Sequence, residues 1–246
     1  GPSSEKELKA VIAENHKTAS DLIPLKKSYA IYQQTPADKV YLVQYDAKQL
    51  YYLQYSNMGE RFDLAADPYI DMYNEYFGGG MNAIVFQEMR EARGLAYSSS
   101  ARLYKPSHKD DTYMYYAFIA TQNDKMIDAM KAFDEIINNM PESEKAFNLA
   151  KEAMITRLRT DRVTKAEVLW SYLDAQDLGL TTDSRKDLFE KVQTMTLPEI
   201  KAFQEKWVKD RTYIYCILGD EKDLDIKSLS KYGPIQRVTK EELFGY

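Results

Sequence analysis

Arg90 and Tyr97 bracket the segment REARGLAY, in which Gly94 permits a sharp turn. A guanidinium offers five N–H donors and stays charged at any working pH, and a phenol adds an O–H donor. If Arg90 ends a helix and Tyr97 lies on the next strand, the helix–turn–strand unit brings both side chains to one edge of a sheet. Two donors so placed can be aimed at a single oxygen. Each also has a plainer reading. An Arg near a helix C-terminus is favoured by the macrodipole, and a strand Tyr is ordinary packing in a chain with 20 tyrosines. Other chemistry-bearing residues are few. His16 and His108 are the only histidines. They are not spaced i, i+4, so no helix face offers two imidazoles to one metal. Cys216 is the only cysteine, which excludes an intramolecular disulfide and a multi-thiolate zinc site.

The remaining candidates are weaker. Gly78-Gly79-Gly80 lacks a P-loop lysine and follows a helical pattern, so it reads as a permissive turn. His108, in KPSHKDD, reads as a solvated hairpin-loop histidine, with a weak metal site alongside Asp110 or Asp111 as the alternative. Arg93 reads as a surface charge or ion-pair partner. Glu88 and Glu91 flank Arg90, but Glu88 is two residues away and does not face it along a helix. The tyrosines at 41, 45, 51, 52, 55, 113, 115 and 116 suggest either sheet packing or a peptide-binding sheet edge.

The 246 residues suit one large domain or two small ones, and 44% hydrophobic content supports a sizeable core. With 33 Lys+Arg against 38 Asp+Glu, the net charge is -5, and no basic excess marks a nucleic-acid binder. No apolar run approaches the roughly 20 residues of a membrane span. The opening Gly1-Pro2 reads as the scar of a cleaved tag. A lone cysteine suits the cytosol or the periplasm equally.

The hydrophobic periodicity predicts the elements that must position these residues. A short helix over 5–14 and a mixed lead-in through 38 precede a single domain from 39 to 246. VYLVQYD (40–46) and QLYYLQYSN (49–57) read as an antiparallel strand pair about Ala47-Lys48. Asp67-Pro68 starts a helix, with Asp67 as N-cap. A second helix covers 81–92 and ends at Gly94. Strands at 95–104 and 112–120 follow. Helices are then expected over 126–137, 142–160, 165–178, 184–193 and 197–208, with a buried strand at 212–220 and a polar tail. The order indicates an α+β domain, with an antiparallel-rich sheet and helices packed on one face.

Residues 76–99, YFGGGMNAIVFQEMREARGLAYSS, resemble the pitrilysin/insulinase-type zinc metallopeptidases, which include the mitochondrial processing peptidases. The matching features are the glycine-rich turn before a helix, Phe86-Gln87-Glu88 with Arg90, and Arg93-Gly94-Leu95-Ala96-Tyr97. The resemblance implies a division of labour. One domain binds zinc through H-x-x-E-H and a distant Glu, whereas a different domain supplies an Arg and a Tyr near the scissile bond. H-x-x-E-H is absent here, and the helix that would carry it reads PYIDMYNEYF. The resemblance therefore implies a non-zinc domain that forms one wall of the proteolytic chamber. Arg90 and Tyr97 would be its substrate-binding, oxyanion-stabilising pair. Zinc would sit in a homologous H-x-x-E-H-bearing partner, in cis or in trans, and the isolated domain would be inactive. A scaffold or assembly domain, or a stand-alone peptide-binding module, is the alternative.

Overall fold

The computed structural model describes residues 2–24, 33–46 and 48–245. Gly1, part of the lead-in and Ala47 of the expected turn lie outside them. Helix α1 (Glu5–Asn15) begins at a capping box between Ser4 and Glu7 and buries none of its residues.

Among the described residues, six strands form one sheet: β1 (Lys39–Gln44), β2 (Gln49–Ser56), β3 (Ser98–Tyr104), β4 (Met114–Gln122), β5 (Ile214–Gly219) and β6 (Ile235–Arg237), in the order β3-β4-β2-β5-β1-β6. The β3–β4, β4–β2 and β2–β5 pairs are antiparallel, whereas β1 runs parallel to both β5 and β6. The expected β1–β2 hairpin is thus corrected. The two strands do run in opposite directions, but β5 lies between them, with Cys216 opposite Tyr41 on one side and Leu53 on the other. Two strand spacings are about 10 Å, well within the reach of the step from Gln44 to Gln49. The apolar run of β5 thereby gains a pairing partner on both sides. The polar tail holds more structure than its composition suggests, since β6 pairs Ile235 with Val40 along β1.

Side chains alternate across the sheet. Val40, Leu42, Leu50, Tyr52, Tyr115, Ala117, Ile119, Tyr215 and Ile217 are buried in the core. That core is completed by α2 (Asp67–Tyr73), α3 (Ile84–Phe86), α4 (Met126–Asn138), α5 (Glu144–Thr160), α7 (Arg185–Thr194) and α8 (Leu197–Trp207). The opposite sheet face carries Tyr41, Val43, Leu53, Tyr55, Tyr116, Phe118, Cys216 and Leu218, all half-buried, with Tyr51 and Tyr104 exposed. The α+β class and the one-sided helical layer expected from sequence are therefore what the chain adopts. Helix α6 (Ala166–Asp177) stays apart from the core: Val168, Leu169, Trp170 and Tyr172 are each more than half exposed.

Asp67 is not an N-cap. Ala66 occupies that position and makes no side-chain cap bond, while Asp67 and Pro68 form the first helical turn. The Asp67 carboxylate instead meets the Lys105 ammonium at 3.2 Å. Both helices around the glycine run change pitch. α2 continues as a π-helical turn over Asn74–Gly78, and α3 as another over Gln87–Ala92. A hydrophobic stripe at 3.6-residue spacing does not distinguish such turns from α-helix.

Candidate functional site

Arg90 lies in the second π-turn, which ends at Arg93. Gly94 adopts φ +58°, the left-handed conformation of a helix-terminating glycine, and its N–H donates to the Arg90 carbonyl at 3.1 Å. The N–H groups of Leu95 and Ala96 both donate to the Met89 carbonyl, at 2.8 and 3.2 Å. This closure folds the chain back on itself. Tyr97 follows in a bend just before β3, and its N–H donates to the Ala120 carbonyl of β4 at 3.0 Å. The Thr121 hydroxyl secures the loop by donating to the Leu95 carbonyl at 2.6 Å.

The two sequence-predicted residues meet. The Arg90 guanidinium carbon is 5.6 Å from the centroid of the Tyr97 ring and 5.1 Å from that of Phe86. Both distances fall within cation–π range. Tyr97 is 71% exposed, so the pair stands on open surface where a polymer chain can reach it. The carboxylate of Glu91 comes no closer to Arg90 than 3.8 Å, a weak contact that leaves the guanidinium donors available. Arg93 has a different task. It pairs with Glu135 of α4 at 2.8 Å and with Glu88 at 3.5 Å, which ties the π-turn to the helical layer and holds the Glu135 carboxyl below its usual range.

The remaining candidates disperse. His108 contacts Asp111 at 3.2 Å and Asp177 at 3.9 Å. Among the described residues, no group of three or more His, Cys, Asp or Glu side chains is placed to hold a metal ion. The tyrosine-rich strands β1, β2 and β4 are interior strands, so they do not form a sheet edge. Their tyrosines divide instead between the core and the open face, where Tyr51 stacks on Phe118 at 5.8 Å and Tyr104 meets Tyr116 edge-on at 6.2 Å.

The α2 segment, where a zinc motif would sit, is committed to structure. Asn74 donates to the Leu103 carbonyl at 2.9 Å and accepts from the Leu103 N–H at 2.8 Å, fastening the helix to edge strand β3. Tyr73 and Tyr76 are core residues. Lys105 bridges Asp67 and Asp71, and Arg157 pairs with Glu75 at 2.9 Å. Gly78 is needed for close approach rather than for unusual dihedrals, because a Cβ there would lie 1.8 Å from the Ala101 carbonyl oxygen. Neither the Asn74 bracket nor the Phe86 contact was foreseen from sequence. A Gly immediately after a helical pattern was the one signal of a strand passing close by.

A family model described as the peptidase M16 inactive domain matches residues 1–154. The chain belongs to the M16 inactive-domain family. This bears out the resemblance to the pitrilysin-type peptidases carried by the segment around Arg90 and Tyr97. Solved structures share the fold of this M16 domain. The peptidase M16 inactive domain from Pseudomonas fluorescens superposes with a TM-score of 0.64 at 17% identity, covering 78% of this chain and 46% of that one. A conserved protein from Enterococcus faecalis gives 0.70 at 14% identity, with 92% and 52% covered. The periplasmic protease PqqL from Escherichia coli gives 0.63 at 14% identity, with 90% and 25% covered. The M16 domain thus spans about half the length of the first two and a quarter of the third. No curated protein matches its sequence.

Proposed function

We propose that this M16 inactive domain forms one wall of a proteolytic chamber, where Arg90 and Tyr97 bind the peptide and stabilise the charge that builds on its carbonyl oxygen. The observation that carries the reading is the pairing itself: an exposed phenol with a guanidinium 5.6 Å from its ring, in a chain of an M16 peptidase family. Hydrolysis places negative charge on that oxygen, and fixed N–H and O–H donors lower the barrier by meeting it. The metal and the general base belong to a partner domain bearing H-x-x-E-H, since the α2 segment of this chain offers no imidazole. The half-buried apolar sheet face, with Leu53, Phe118 and Tyr116, is a second surface along which an unfolded substrate can lie.

The test is turnover by the assembled peptidase. Arg90→Ala or Tyr97→Phe lowers kcat/KM on the order of a hundredfold, the usual effect of losing one such donor, with assembly intact. Unchanged turnover in both variants overturns the reading, as does chelator-sensitive peptide hydrolysis by this chain alone. A second reading, that the domain serves only in assembly, is favoured by the exposed apolar side chains of α6. It is supported if α6 substitutions block assembly while the Arg90 and Tyr97 variants are silent.

A further inference from the structure

Arg90 lies within cation–π reach of two rings, and only one of them belongs to the pair singled out above. Phe86 is four residues before Arg90, so the two are neighbours on the helix surface. Phe86 is half-buried beside Val85 and Met89, which are fully enclosed in the core, whereas the Arg90 side chain is 45% exposed. The half-buried Phe86 ring lies 5.1 Å from the guanidinium carbon, and partial burial narrows the rotamers open to it. Tyr97, by contrast, is 71% exposed. An arginine side chain on open surface samples many rotamers, and a guanidinium that must meet a carbonyl oxygen gains from being held beforehand. Attraction to a ring face restrains the guanidinium while leaving its N–H donors free for a ligand.

We propose that Phe86 is a positioning residue for Arg90: its half-buried ring holds the guanidinium beside Tyr97, ready to receive a peptide carbonyl. This rests on the reading of Arg90 as a peptide contact. The π-turn over Gln87–Ala92 is part of the same device. Its wide turn lets the Met89 carbonyl accept both the Leu95 and Ala96 N–H groups, and that double closure returns the chain so that Tyr97 reaches the same guanidinium. π-turns recur at functional sites.

The geometric half is tested in the 246-residue chain by NMR of the Arg90 Nε–Hε group, assigned with Arg90→Lys. In the wild type this group is ordered and its proton carries the ring-current shift of a neighbouring aromatic face. Phe86→Leu abolishes the order and removes the Phe86 part of the shift, leaving only what the Tyr97 ring supplies, whereas Phe86→Tyr keeps both. Phe86→Met, closer in volume, serves if the leucine variant does not fold. Retention of an ordered Nε–Hε group in the folded Leu or Met variant overturns the proposal. The functional half is a double-mutant cycle in the assembled peptidase. Phe86→Leu lowers kcat/KM roughly two- to fivefold, Phe86→Tyr restores it, and the effect vanishes when Arg90 is already Ala. An equal loss in both backgrounds shows that Phe86 acts through general packing and overturns the proposal. A silent Arg90→Ala substitution marks failure of the underlying reading instead, and the NMR result is independent of it.

Discussion

Burial pushes the Asp134 carboxyl of α4 up to about 6, with the charge of Asp38 adding to the rise and a hydrogen bond to Tyr232 opposing it. The folded protein therefore binds this proton more tightly than the unfolded chain does. Its stabilising effect is complete below the unfolded value near 4 and is lost as the pH climbs through about 6. Urea unfolding at pH 4.5 and pH 7 measures it. Asp134→Asn removes a pH-dependent contribution on the order of 2 kcal/mol, flattening the difference between the two conditions. A wild-type slope preserved in the Asn variant assigns the titration to another group. At this scale the sequence was readable where partners are close along the chain. Arg90 and Tyr97 are joined by one turn, and Gly94 announces that turn. Asn74 was opaque because its partner, Leu103, lies 29 residues away on a strand whose position depends on the whole sheet. Phe86 was named for the family resemblance alone. Its contact with Arg90 depends on side-chain rotamers, which spacing does not specify.

Elements were legible where hydrophobic periodicity is local. α4 and α5 lie where their apolar spacing predicted, and β3 and β4 pair as expected. The error over β1 and β2 has a physical source. Strand direction follows from a short connection, but adjacency was decided by residues 214–219, far along the chain, which compete for the same backbone donors and acceptors. The glycine run supplies a paired test at this scale. A Cβ at Gly78 meets backbone that cannot rotate away, so Gly78→Ala separates the π-turn from β3 and destabilises by about 2–3 kcal/mol in urea unfolding. A methyl group at Gly80 would meet nothing within 4 Å, and Gly80→Ala leaves the midpoint unchanged or slightly raised. Equal costs at the two positions refute the close-approach account.

Across the whole molecule, one core joins the sheet to the helical layer, but none of the described side chains of α6 is buried in it. Replacing Leu169 and Trp170 with Ser therefore changes folding stability by no more than about 0.5 kcal/mol, as is usual for exposed positions. If α6 docks against another domain, the same substitutions weaken that association in the assembled peptidase. A folding cost of core size, about 2–5 kcal/mol, shows instead that α6 packs within this chain. The rim of the sheet has a consequence for solubility. An outermost strand ordinarily offers a template on which further copies can polymerise. Along β3 that template is blocked, because the Asn74 amide occupies the Leu103 hydrogen-bonding groups and Gly78 sits against the Ala101 carbonyl. The opposite rim is β6, three residues long, too little to seed a fibril. Concentrated solutions of this protein accordingly resist cross-β growth from the native sheet, and loss of the Asn74 bracket removes that protection.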